Sequence, residues 1–286
     1  MANLNSLKGR INVVSNTQKI TNAMQLVSTA KLRRIRTEFE SIRSYLDLLN
    51  DTFDSLITHV QPEDFYTIFP KNDNVDAKLY IIITSDLGLC GSYNTNVVNL
   101  LKSKIQPNDK IIVIGTKGYS LLNASPYKHQ VIDKYLNYGE KVSYKIGNRI
   151  TKTALDLYVN QEISEINLIY TEFINNMNQE AVLRTLFPLD LSKNDHTSST
   201  MSQSMEFEPN AEVVLKNSIP LYIGSLIYCL GSNSKVSEMA SRRNAMENAT
   251  NNANDLIHDL YLQYNRERQR VITQEINEIV AGADAT

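Results

Sequence analysis

Apolar residues recur at Leu7, Ile11 and Val14, then Ile20, Met24 and Val27, then Ile35, Phe39, Ile42, Leu46, Leu49, Phe53, Leu56 and Val60. From Ile35 onward the steps are almost strictly four and three, the spacing that keeps one seam facing a partner helix. No proline lies between Leu4 and Val60, and Gly9 is the single glycine, so the pattern predicts one helix over residues 1–60 of about 55 residues, roughly 80 Å. Local propensity does not hold a helix of that length in water; it needs a second long helix or a partner along it. At the other end, Met246, Ala249, Ala253, Leu256 and Leu260 again step by three and four, and no Gly or Pro falls between Lys235 and Ala281. The second helical arm is predicted over 208–286, with a kink or weak point at Pro220, Gly224 and Gly231. Two seam-bearing arms at the two ends of one chain predict an intramolecular antiparallel coiled coil.

Between the arms the period changes. Gln61 to Asp76, with Pro62 and Pro70, reads as a connector. Continuous β-branched runs follow at Lys78–Thr84, Lys110–Gly115, Gln130–Tyr135 and Glu165–Phe173, the mark of strands covered on both faces. Helical patterns alternate with them at Thr95–Ile105, Gly118–Asn123 and Val142–Gln161, and Val182–Leu186 offers a further edge strand. The alternation predicts an open, mostly parallel α/β sheet of four or five strands over 77–190, inserted between the arms. Ser192–Met205 is polar and reads as a loop.

Composition narrows the function classes. The 286 residues carry 29 Lys+Arg against 31 Asp+Glu, a formal charge of −2, which supplies no global field for nucleic acid. Two distant cysteines, Cys90 and Cys229, make no disulfide framework and fit a reducing compartment. The opening residues lack the apolar core of a signal peptide, and the longest apolar stretch, Pro220 to Gly231, is far short of the roughly 20 residues of a membrane span. A soluble or peripheral protein is expected.

The neutral sum hides a segregated charge. Lys8, Arg10, Lys19, Lys31, Arg33, Arg34 and Arg36 precede the first carboxylate, Glu38. Like charges three and four apart on a helix repel, and a merely solvated face interleaves both signs, so this run points to an acidic partner. Arg266, Arg268, Gln269, Arg270 and Thr273 form a second polar cluster on the exposed flank of the C-terminal seam. Candidate chemistry elsewhere is thin. Thr84-Ser-Asp-Leu-Gly-Leu-Cys-Gly-Ser-Tyr-Asn94 leaves the first strand where open α/β sheets hold their ligands, and could be a phosphate cradle, a Cys90 nucleophile loop or a structural turn. It lacks the Gly-Lys-Ser/Thr ending of a phosphate-binding loop, no histidine stands in a recognisable relation to Cys90, and Gly115-Thr-Lys-Gly118 has too few glycines in register. No metal-ligand spacing is present, and no cofactor is expected.

Ile20-Thr-Asn-Ala-Met-Gln-Leu-Val27 with Ala30-Lys-Leu-Arg-Arg34, the central Thr84–Asn94 segment, and the C-terminal Ser237-Glu238, Ala245–Ala253, Tyr264–Gln269 and Ile272–Gly282 segments together resemble the gamma subunits of F-type ATP synthases, in order and over essentially the whole chain. The resemblance implies an antiparallel coiled coil with an α/β domain, acting as a non-catalytic rotor shaft. Such a shaft would couple rotation to ATP synthesis or hydrolysis on the beta subunits and to proton flow through the membrane sector. One copy would stand in an alpha3-beta3 hexamer, with the epsilon subunit and membrane c-ring as further partners, at the cytoplasmic face of the cell membrane. Lys19, Met24, Lys31, Arg33, Arg34 and Arg36, with Arg268, Gln269, Arg270 and Thr273, would meet the catalytic head; Glu208, with Pro209, would lie on the foot and ring side. The family's usual central motif has arginine where this chain has Leu87 and a second glycine where it has Ser92. Arg270 replaces a small residue, and Gly224, Gly231 and Asn233 soften a segment that is usually a better helix former. A shaft driving a different machine, a static coiled-coil scaffold, and an α/β enzyme using Cys90 are the alternatives.

Overall fold

The structure, a computed structural model, describes residues 2–189, 208 and 210–284. It divides into two compact units, Met1–Ala30 with Arg242–Thr286, and Lys31–Ser241. Two long helices, α1 (Ala2–Thr58) and α6 (Ala211–Asp284), contribute to both.

In the larger unit, five strands, β1 (Lys78–Ile83), β2 (Lys110–Ile114), β3 (Val131–Tyr135), β4 (Glu165–Phe173) and β5 (Gln179–Phe187), form one sheet in the order β3-β2-β1-β4-β5. The first four are parallel and β5 closes the edge antiparallel to β4. Alternate strand residues sort into two cores. Leu79, Ile81, Ile83, Ile112, Ile114, Ile166 and Leu168 face α5 (Tyr144–Val159), α1 and α6. Tyr80, Ile82, Ile111, Val113 and Ile169 face α3 (Tyr93–Lys104) and α4 (Thr116–Asn123). Cover on both faces is why these strands read as unbroken apolar runs.

The stretch expected as a plain connector holds a helix, α2 (Pro62–Ile68), with proline in its first turn. A missing N–H costs nothing there, because the first turn's donors have no intrahelical acceptor. The helix delivers Phe65 and Phe69 into the core against Phe187, at ring centroid distances of 6.0 and 5.2 Å.

The expected weak point in the C-terminal arm is not a break: α6 is helical without interruption from Ala211 to Asp284, with Pro220 inside it. An interior proline costs about 3 kcal/mol. Burial of Ile219, Ile223, Leu226 and Ile227 around it offsets that, at about 1.5–3 kcal/mol per side chain. The glycines are contact residues rather than soft ones. A Cβ on Gly224 would stand 2.3 Å from Asn148 Oδ1, one on Gly147 of α5 would stand 2.7 Å from the Gly224 carbonyl oxygen, and one on Gly231 would meet Val142 at 2.9 Å. Helices α5 and α6 thus approach with backbone nearly on backbone. By composition alone α6 holds a window apolar enough to cross a membrane, but 56% of that window is buried inside the protein.

Within the larger unit α1 and α6 run antiparallel, Leu32 packing with Val236, Met239 and Ala240 and Phe53 stacking on Tyr222 at 3.8 Å. The smaller unit repeats the arrangement, with Leu7 and Ile11 on Leu260, and Thr250 Oγ1 bonded to Thr21 Oγ1 at 2.8 Å. Its seam differs from the expected one. Ile20 and Val27 are 60% and 57% exposed, while Met24 keeps its expected place on the inner side; of the residues between Val14 and Ala30 Ser28 is buried, and Ser15, Gln18, Thr21, Met24 and Gln25 are half-buried. On α6, Leu256 is 45% exposed while Ile257 turns inward.

Candidate functional site: the sheet crevice and the basic face of the first helix

The strand order reverses direction between β1 and β4, so the carboxyl ends of those two strands flank the crevice where an open α/β sheet takes its ligand. Here α6 fills it. The Ser234 hydroxyl lies 2.7 Å from the Tyr93 hydroxyl at the start of α3 and accepts the Thr171 N–H of β4 at 3.3 Å. Asn233 Oδ1 accepts the Phe173 N–H at 2.8 Å. Asn233, expected as a softening residue, therefore caps the end of β4.

The Thr84–Asn94 segment is a closed structural turn. Ser85 N–H donates to Asn94 Oδ1 at 2.9 Å, and Asn94 Nδ2 donates to Ser85 Oγ at 2.8 Å and to Cys90 Sγ at 3.2 Å. Asp86 Oδ1 accepts from the Thr116 N–H and hydroxyl and from the Asn137 N–H, at 3.0, 2.8 and 2.9 Å, tying together the ends of β1, β2 and β3. Gly115 and Gly118 pack on Thr84, whose atoms a Cβ on either glycine would strike within 2.6 Å, which accounts for a glycine pair with no phosphate-loop register. Both thiols are buried, and burial pushes the Cys229 thiol up to about 11. A raised pKa leaves little thiolate at pH 8. Neither cysteine is expected to react with iodoacetamide at pH 8 until the chain unfolds; a mass shift on Cys90 of the native protein would restore it as a nucleophile.

The predicted partner-facing residues fall into separate groups. Lys19 is exposed and Met24 half-buried on α1 in the smaller unit. Arg268, Gln269, Arg270 and Thr273 are exposed on α6. The Thr21–Thr250 and Leu7–Leu260 pairings put Lys19 level with Asn252, about 24 Å along α6 from Arg268, so these groups form no single site. By the same register α6 residues beyond Arg270 have no α1 residue level with them, and almost all are exposed. Arg270 does not add a bare charge: it makes two bonds to Glu267, at 2.6 and 3.1 Å. In the larger unit Arg33 and Arg36 are exposed, Arg36 standing 3.9 Å from Glu40. Lys31 Nζ bonds Glu140 Oε1 at 3.1 Å, and the Arg34 guanidinium bonds Glu140 Oε2. Those two bonds hold the Glu140 carboxyl below the ordinary carboxylate range. Nothing in the sequence distance between residues 34 and 140 signalled this contact. Glu208 is exposed in a bend ahead of α6; Glu206, Phe207, Pro209 and the Ser192–Met205 tract lie outside the described residues.

A sequence model of the family described as ATP synthase matches residues 3–286. The ATP synthase gamma chain of Mycoplasmopsis synoviae (strain 53) is 50% identical over 288 residues, covering 100% of both chains. The chain belongs to the ATP synthase gamma-chain family. The gamma chain of Clostridium novyi (strain NT) is 40% identical, with 99% of this chain and 98% of that one covered. Among solved structures, the central stalk and c-ring of Tetrahymena thermophila mitochondrial ATP synthase includes a chain matching at a TM-score of 0.64 and 26% identity, over 80% of this chain and 99% of its own. The rotor of Euglena gracilis mitochondrial ATP synthase shares the fold at a TM-score of 0.73 and 16% identity, over 95% of this chain.

Within the gamma family the two departures in the central loop have local explanations. Ser92 sits at the start of α3 with φ of −84°, a conformation that needs no glycine, and its Oγ accepts from Asn96 Nδ2 at 3.2 Å. Leu87 is 73% exposed, so arginine is not required there for packing.

Proposed function

We propose that this gamma chain is the central rotor shaft of an F-type ATP synthase. It is a non-catalytic subunit, present in one copy, that couples rotation inside an alpha3-beta3 hexamer to proton flow through a membrane ring, with the epsilon subunit at its foot, on the cytoplasmic face of the cell membrane. The observation that carries the reading is the inverted patterning of the smaller unit. Its helix pair buries Ser28 and turns Gln18, Thr21 and Gln25 inward beside Met24, all four half-buried, while Val13, Ile20, Leu26 and Val27 face outward. A freely solvated coiled coil favours the opposite arrangement, so the outer face is suited to an enclosing partner. Lys19 lies among those outward residues and the half-buried Met24 at their edge, and both are assigned to the same contact; Arg268, Gln269, Arg270 and Thr273 form a second one at the end of the paired length, and Glu208 belongs to the foot.

A rotor works by having a contact free energy that differs between the open and closed states of the subunit it faces. Exposed charges such as Arg33 and Arg36 suit that task, because each such contact is worth only about 0.2–1 kcal/mol and releases again as the shaft turns. The filled crevice at β1 and β4 supports a non-catalytic role. Recovery of the complex through a tag on this chain is expected to bring three copies each of two nucleotide-binding subunits per copy of the chain, measured by quantitative mass spectrometry. Any other ratio, or recovery with no nucleotide-binding subunit, would overturn the reading in favour of a static scaffold.

A further inference from the structure

We propose that Glu140 is an in-cis stand-in for an acidic polypeptide segment, occupying Lys31 and Arg34 of α1 until such a segment displaces it. The inference rests on the reading that the basic run of α1 takes an acidic partner. Lys31 and Arg34 are three residues apart on one helix face, where like charges repel. The acid that offsets them comes from the loop between β3 and α5, more than 100 positions along the chain.

That loop is built to present a carboxylate. Asn137, at φ 52°, donates its N–H to Asp86 Oδ1 at 2.9 Å, the Tyr138 hydroxyl donates to the Thr84 carbonyl at 3.0 Å, and Val142 is fully buried. Gly139, at φ 86°, then turns the chain outward to Glu140. The next residue, Lys141, stands 3.7 Å from Glu38, the first carboxylate of α1. A stiff support thus carries a soft contact. The Lys31, Arg34 and Glu140 side chains are 44%, 58% and 58% exposed, against 7% and 2% for the Lys235–Glu238 pair in the same unit. A permanent strut is served by the second kind of pair, an exchangeable one by the first. The incoming segment would be a helix or loop bearing two carboxylates spaced to meet cations at i and i+3.

The test uses the full chain and a labelled ten-residue poly-L-glutamate at 0.1 M salt. Glu140→Gln is expected to tighten binding roughly two- to thirtyfold, the release of two exposed ion pairs. Asp51→Asn makes the same change in net charge from an exposed position on α1, about 25 Å from Arg34 and well beyond the screening length, and is expected to bind as the parent does. Equal affinities for Glu140→Gln and Asp51→Asn would overturn the proposal while leaving the basic run a site. A chain with Lys31, Arg33, Arg34 and Arg36 all changed to Gln that binds the probe as well as the parent would overturn the underlying reading as well.

Discussion

Gly115→Ala is expected to lower the unfolding free energy by roughly 2–6 kcal/mol, the sum of two costs of about 1–3 kcal/mol each. The first is backbone strain: Gly115 holds φ 105° and ψ 138°, a region that residues with a Cβ rarely enter. The second is a collision, since the new Cβ would lie 2.2 Å from the Thr84 carbonyl oxygen and 2.6 Å from its Oγ1. Neither side can yield. The Gly115 N–H is bonded to the Tyr135 carbonyl at 2.9 Å and the Thr84 N–H to the Ile114 carbonyl at 2.8 Å, so the ends of three strands would have to move together. Gly139→Ala separates the two costs, because Gly139 has φ 86° but nothing within 4 Å of the place its new methyl group would take. Urea unfolding is expected to show a larger fall in midpoint for Gly115→Ala than for Gly139→Ala, with unchanged slopes. Equal falls would mean that the approach to Thr84 contributes nothing.

The strands are legible in the sequence because burial on both faces leaves a trace in composition as well as in period; even the edge strand β5 contains its expected segment, Val182–Leu186. The fold around them follows from two breaker-poor arms. Three features escape a one-dimensional pattern for physical reasons. Pro62 has the look of a connector residue, although proline followed by Glu63 and Asp64 is also the signature of a helix start, which α2 proves to be. Gly224 and Gly231 have the look of weak points because the atoms that require them, in Asn148 and Val142, are some eighty positions away. Ile20 and Val27 fit the seam only if apolar residues point inward; the helix instead turns Thr21 and Ser28 in and leaves those side chains out. The inversion is informative, since the rule that apolar residues face inward presumes that the outside is water. The charged run is legible as a run, but that Glu140 holds two of its seven cations, Lys31 and Arg34, is not.

Glu238→Leu is expected to cost about 3–5 kcal/mol, because it removes one partner of a buried ion pair and leaves the other in place. Lys235 Nζ bonds Glu238 Oε2 at 2.9 Å, with side chains 7% and 2% exposed. With Glu238 gone, the ammonium keeps the Gly139 carbonyl at 3.5 Å and the Tyr138 ring at 5.3 Å, too little to offset its lost hydration. Lys235→Met combined with Glu238→Leu is expected to regain the part of the loss that the stranded ammonium causes, since that part belongs to the unpaired charge and not to the missing bond. The two variants should part company in the loop that carries Glu140. In the double variant Gly139 has lost the amine beside its carbonyl, so hydrogen exchange across residues 136–143 is expected to stay faster than in the parent although the global unfolding midpoint has risen above that of Glu238→Leu. If exchange there recovers together with the midpoint, Lys235 is a packing residue of α6 and has no part in holding that loop against the helix.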